Sequence, residues 1–135
     1  MKESNTRLLI NKLLRKSGWI LFGDEGKVNV DTETNNESGA ADYVLFNNSG
    51  FPICVIEAKR KDLSPLVGKE KSRQYANSLR CRFVILSNGF QHFFWDIENG
   101  NPQLIREFPS QEQLELRQSN FNPKRDADEK IDIDY

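Results

Sequence analysis

The chain has 135 residues, enough for one hydrophobic core and too few for two comfortable ones. Hydrophobic residues make up 37% and charged residues 29%, a globular balance, and no apolar run approaches membrane-spanning length or forms a signal region after Met1. Nineteen basic and twenty acidic residues give a net charge of −1, so no bulk basic field announces a nucleic-acid partner.

Ser4 or Asn5 can cap a first helix over Thr6 to Ser17, with Leu9, Ile10, Leu13 and Leu14 on one stripe and Gly18 to end it. Trp19, Ile20, Leu21 and Phe22 follow as apolar anchors. Residues 27–34 alternate as a strand does, and residues 35–40 form a polar turn containing Gly39. Asp42 to Asn47 and Phe51 to Lys59 read as two strands, joined by the hairpin signal Asn47-Asn48-Ser49-Gly50. The second is almost continuously apolar, which predicts a central strand covered on both faces; Cys54 lies within it as a small core residue.

Ser64-Pro65 is a helix start, and the helix it opens extends to about Leu79. Ser72, Ala76 and Leu79 are expected to face the sheet, with Lys69, Lys71, Arg73 and Tyr75 on other faces. Arg82 to Leu86 and Gln91 to Ile97 are two more strands around an Asn88-Gly89 turn. Leu104 to Phe108 forms a short last strand and Gln111 to Arg117 a helical turn, while the acidic, polar residues beyond are expected to be loosely held. This order predicts an α/β fold with a mixed central sheet flanked by helices.

The two cysteines form no Cys-x-x-Cys pattern and the single histidine, His92, has no cysteine near it, so zinc is not expected and a reducing, cytoplasmic setting fits. Phosphate loops of the Walker or dinucleotide kind are absent, and with them any nucleotide cofactor site. His92 sits in an aromatic strand as a packed or surface residue, and Asp96 and Glu98 read as strand-end charges.

The chemistry concentrates at Ile53-Cys54-Val55-Ile56-Glu57-Ala58-Lys59. Alternation sends Val55, Glu57 and Lys59 to one face and Cys54, Ile56 and Ala58 to the other. If the preceding strand pairs with this one, Asp42 converges with Glu57 and Lys59. Two carboxylates and a lysine suit magnesium-assisted phosphodiester hydrolysis: Asp42, Glu57 and the Ala58 carbonyl as metal ligands, Lys59 positioning the water. The alternative is an ordinary strand-end salt bridge. Between Lys59 and Arg82 eight basic residues outnumber two acidic ones, a local patch able to neutralise phosphates or simply a solvated helix face. Lys69, Lys71 and Arg73 of this patch are the candidates for DNA contact.

Several motifs in this order and spacing resemble the N-terminal nuclease domain of the type I restriction enzyme R subunit, HsdR. They are Glu3-x-x-Thr6-Arg7, Leu13-Leu14, Gly18-Trp19, Gly39-Ala40-Ala41-Asp42-Tyr43-Val44-Leu45, Val55-Ile56-Glu57-Ala58-Lys59, Gln74-Tyr75-Ala76, Phe83-Val84-Ile85-Leu86-Ser87-Asn88-Gly89, Phe94-Trp95-Asp96 and Phe108-Pro109-Ser110. The resemblance covers residues 3–116 and leaves 117–135 as a tail or linker. It implies a PD-(D/E)xK endonuclease fold with a four-stranded mixed core sheet, metal-binding Asp42 and Glu57, and Lys59 assisting the water. Mg²⁺ is the implied cofactor, with Mn²⁺ the alternative. The resemblance also makes Tyr75 a DNA-contact residue, since it matches the family's Gln-x-x-x-Tyr motif, but Lys71 stands where that motif has Gln; a lysine can hold a phosphate but lacks the amide's paired donor and acceptor. Gln74 lies beside it, and Glu3 corresponds to an acidic residue that some such nucleases add from their first helix. The family's R subunits continue into an ATP-driven motor, for which this chain has no room, so it is expected to be either an excised domain or a short relative; ATP would serve only that motor. The implied partners are DNA and, through a full-length chain, the specificity and methyltransferase subunits. The other functions considered are a non-catalytic DNA-binding or assembly module and a stand-alone nuclease on the same fold.

Overall fold

The computed structural model describes residues 3–32 and 41–119, apart from the side chains of the first two. The turn expected over 35–40, the Glu3 side chain and most of the acidic tail lie outside the described residues.

Helix α1 (Glu3–Lys16) buries Ile10 and Leu14, with Leu13 packed beside them, and Ser17 and Gly18 close its last turn onto Leu13, Leu14 and Arg15 carbonyls. Of the four expected anchors, Trp19 and Leu21 are buried but Phe22 is 92% exposed. The first strand also starts later than its alternation suggests, and residues 33 and 34 lie outside the described residues. β1 is Val30–Thr32, because Asn29 before it bonds back to Ile20 through both its backbone N–H (3.0 Å) and its side-chain oxygen (2.8 Å).

β2 (Tyr43–Phe46) and β3 (Pro52–Ala58) form the expected hairpin, antiparallel, with Tyr43 opposite Ile56 and Leu45 opposite Cys54. Phe46 faces Pro52, so Ile53 is an extra residue on β3, a bulge that lets both Ile53 and Cys54 enter the same core. From Cys54 onward the expected alternation holds: Cys54, Ile56 and Ala58 join one core and Val55 the other.

After β3 the chain does not enter an α-helix at once. Pro65–Gly68 forms a 3-10 turn, with the Ser64 hydroxyl accepting the Leu66 N–H at 3.2 Å. Helix α2 then spans Lys69–Ser78, burying Ser72 and Ala76 against the sheet with Leu79 alongside. β4 (Phe83–Ser87) pairs parallel with β3, and β5 (His92–Asp96) and β6 (Gln103–Ile105) follow antiparallel. Helix α3 (Gln111–Ser119) is a full element rather than a single turn, since Leu114 has a buried place in the core.

The strands lie in the order β1-β2-β3-β4-β5-β6. The sheet is mixed, as expected, but has six strands rather than the four of the implied core, the three-residue β1 and β6 extending its edges. Side chains of α1 and α3 fill the core on one face, and α2 covers the other. β3 and β4 are buried throughout, apart from the first residue of β3. Their shared parallel direction brings both carboxyl ends to one edge of the molecule, where ligand sites of α/β sheets form.

Candidate active site

The end of β3 carries two charges into a largely buried setting. Glu57 and Ser87 are buried, and Ala58 is opposite Ser87 on β4. Continuing the antiparallel register one step beyond Tyr43 and Ile56 sets Asp42 opposite Glu57. Lys59, just past the strand, donates its backbone N–H to the Ser87 carbonyl at 2.9 Å and places Nζ 3.3 Å from Glu57 Oε2. Asp42, Glu57 and Lys59 thus meet at one strand end.

Asp42 is held at both oxygens. Oδ2 accepts the Ala58 N–H at 2.7 Å, and Oδ1 accepts from Arg7 Nη2 on α1. The same helix is tied to β2 by the Tyr43 hydroxyl, which bonds the Arg7 carbonyl (3.1 Å) and Asn11 Oδ1 (2.7 Å). Arg7 therefore supplies a charge that its place in the opening motif did not reveal: nothing in the spacing from Arg7 to Asp42 signals the pair. The Ala58 carbonyl leaves the strand on the same side as its N–H, toward Asp42.

Burial is the main cause that raises Glu57 above the usual carboxylate range. The neighbouring Asp42 carboxylate adds to it, while Lys59 and, more weakly, Lys71 oppose it. Lys71 is exposed on α2 yet close enough for Glu57 to feel its charge, and Tyr75, one turn on and half-buried, shares its face.

The other α2 candidates have these surroundings. Lys69 Nζ stands 5.0 Å from the centre of the Trp95 ring. Arg73 is paired with Glu70 at 2.6 Å, and Gln74 is exposed.

Gly68, which the sequence did not single out, and Asn88, read there only as part of a turn and a motif, shape the site. Gly68 ends the 3-10 turn, and a Cβ there would come within 2.9 Å of Glu57 Cγ and 3.0 Å of Lys59 Cε. Asn88 donates from Nδ2 to the carbonyls of Lys61 (3.3 Å) and Leu63 (3.0 Å), fastening the loop after Lys59 to the end of β4.

His92 is packed, as expected. Its Nδ1 is 2.8 Å from the Ser87 hydroxyl, its ring lies edge-on to Phe108, and burial lowers its pKa, which keeps it neutral at pH 7. Asp96 is more than a loose strand-end charge: it takes a two-pronged ion pair from Arg82 (2.9 and 2.8 Å). Cys54 and Cys81 are free, buried thiols. Among the described residues no three His, Cys, Asp or Glu side chains gather as a metal cluster, so a cation here would depend on two carboxylates and a backbone carbonyl. No helix among them is long and apolar enough to cross a membrane.

Residues 7–109 match the family described as the N terminus of the type I restriction enzyme R protein. A solved fragment described as an HsdR subunit of a type I restriction enzyme from Vibrio vulnificus YJ016 superposes with a TM-score of 0.70 at 27% identity. The match covers 87% of this chain and 25% of that one, so this chain spans about a quarter of the relative's length. No curated protein gives a significant match.

Proposed function

The chain belongs to the family of type I restriction enzyme R protein N-terminal regions, and on that premise we propose that it is a PD-(D/E)xK endonuclease domain, hydrolysing DNA phosphodiester bonds with a divalent cation at Asp42 and Glu57. The observation that carries this is the meeting of two carboxylates and a lysine at the end of β3, one of the two buried central strands.

The residues fit a hard cation. Glu57 is buried beside a second carboxylate and its ionised form is disfavoured, a tension that a cation relieves. Asp42 uses one lone pair at each oxygen and keeps others. Bound there, Mg²⁺, or Mn²⁺ in its place, supplies Lewis-acid stabilisation of charge on the phosphoryl oxygens. Lys59 orients the attacking water and offsets the charge that develops as its oxygen bonds to phosphorus and the bond to a sugar oxygen breaks. Arg7 holds Asp42 in place through Oδ1. Lys71, in the place of the family's glutamine, holds a neighbouring phosphate as a point charge. Such a domain grips DNA through its backbone and reads no bases. Its sequence specificity would come, in the cytoplasm, from specificity and methyltransferase subunits joined through a longer chain that also carries an ATP-driven motor.

The test is calorimetric titration of Mg²⁺ or Mn²⁺ into the wild type, Asp42→Asn and Glu57→Gln, followed by plasmid cleavage. Wild-type binding and nicking that both variants lose is the expected result. Equal binding by all three would put the metal elsewhere and overturn the assignment. One observation favours a non-catalytic module on the same fold: Arg7 already neutralises Asp42 without a metal. In that case the wild type binds DNA but takes up no cation even with DNA present.

A further inference from the structure

The turn after β4 carries an arrangement that hydrolysis at Asp42, Glu57 and Lys59 does not use. Phe90 is 55% exposed at this turn, and Lys61 Nζ stands 4.9 Å from the centre of its ring. Both lie at the carboxyl ends of the parallel pair β3 and β4. Lys61 is two residues past Lys59, and Phe90 is three past Ser87, the partner of Ala58. An aromatic ring and an ammonium therefore lie at the same end of the sheet as the candidate active site.

The backbone that carries each of them is tied down. Asn88 Oδ1 accepts the N–H groups of both Phe90 (3.1 Å) and Gln91 (2.8 Å), while Nδ2 bonds the carbonyls of Lys61 and Leu63. One buried side chain thus fixes both loops. Gly89 turns with φ +92°, and its α-carbon lies so close to α1 that a Cβ would be 3.0 Å from Leu9 Cδ1. What sets Phe90 apart is its pairing: an open aromatic face beside an ammonium is the combination that a base and its phosphate need.

We propose that Phe90 and Lys61 form a nucleotide platform, Phe90 stacking on an unpaired base next to the phosphodiester at the Asp42–Glu57–Lys59 site and Lys61 taking the adjacent phosphate. This rests on the phosphodiesterase assignment above. Every base offers a π-face, so stacking needs no particular sequence. In a duplex those faces are covered by neighbouring base pairs, so the platform acts on frayed, gapped or single-stranded DNA. Lys61 is exposed and flexible, free to yield its place over the ring to a base and follow the phosphate. The acidic oxygens of Asp42 and Glu57 take no part in this contact, which separates it from metal binding.

The experiment is fluorescence anisotropy with a labelled oligothymidine and, separately, a blunt duplex, in EDTA so that nothing is cut. Phe90→Ala should weaken single-strand binding by roughly ten-fold, the loss expected for one stacked base, and leave duplex binding nearly unchanged. Phe90→Trp should retain it. Lys61→Gln should flatten the salt dependence by about one phosphate contact. Equal single-strand binding by wild type and Phe90→Ala overturns the platform, as does a wild type that does not bind the oligothymidine. Failure of the hydrolytic assignment appears elsewhere, as a wild type that takes up no cation, and leaves the oligothymidine result standing.

Discussion

Glu57 illustrates how burying a single carboxyl ties stability to pH. Its carboxyl is raised by burial and by Asp42. The folded state therefore holds a proton more tightly than the unfolded chain, and stability falls as pH climbs from the unfolded pKa to the folded one. Above that window the full cost of ionising Glu57 is present. Glu57→Gln should accordingly melt higher than the wild type at pH 7 in EDTA, with the gap closing near pH 4; a variant less stable at pH 7 would mean that its pairing with Lys59 outweighs its burial. Gly68 is the second instructive residue. Its backbone has an ordinary negative φ, so alanine there is not strained, but the new methyl would press on Glu57 and Lys59. Gly68→Ala should keep the circular dichroism spectrum and lose cation binding by calorimetry. Asp42, Glu57 and Lys59 were legible because alternation on a strand is a local rule. Arg7 and Gly68 were not, since their roles exist only once α1 and the 3-10 turn are laid against β2 and β3.

At the scale of elements, the site depends on how α1 is fixed to the sheet. Burial pushes the Tyr43 hydroxyl far up, so it stays protonated, and it joins β2 to the Arg7 carbonyl and Asn11. Tyr43→Phe removes those bonds and should cost about 1 kcal/mol in urea denaturation. α3 contributes differently. Leu114 is fully buried, and the segment leading to α3 is tied down by Ser17 and Trp19, which donate to the carbonyls of Phe108 (2.7 Å) and Pro109 (2.8 Å). Leu114→Ala should cost about 2–5 kcal/mol, read from the same denaturation curves, without displacing Asp42 or Glu57. A change under 1 kcal/mol would show that α3 packs loosely. The elements themselves were mostly legible, from caps, alternation and the Asn-Asn-Ser-Gly turn. The errors have local causes visible only in the fold: Asn29 bonding to Ile20 delays the start of β1, and Leu114 finding a core position extends a turn into α3.

Across the whole molecule, the charges arrange themselves against the bulk balance. A net charge of −1 says nothing of a basic partner, yet Arg7, Lys59 and Lys71 gather around two carboxylates at one end of the sheet. A cation bound by the folded chain alone should raise its melting temperature in proportion to the logarithm of its concentration above Kd. Mg²⁺ or Mn²⁺ should therefore shift the wild type upward in differential scanning fluorimetry and leave Asp42→Asn where it stands; parallel shifts would mean binding away from Asp42. The sequence by itself determined the α/β class, the β2–β3 hairpin and the face shared by Glu57 and Lys59, because each follows from spacing along a few consecutive residues. Only the tertiary structure decided the six-strand order, the parallel pairing of β3 with β4, the Arg7 clamp on Asp42 and the Lys61–Phe90 pair at the same end of the sheet as the site. Those depend on which distant segments pack together, and a chain's local periodicity carries no information on the partner chosen across a sheet or a core.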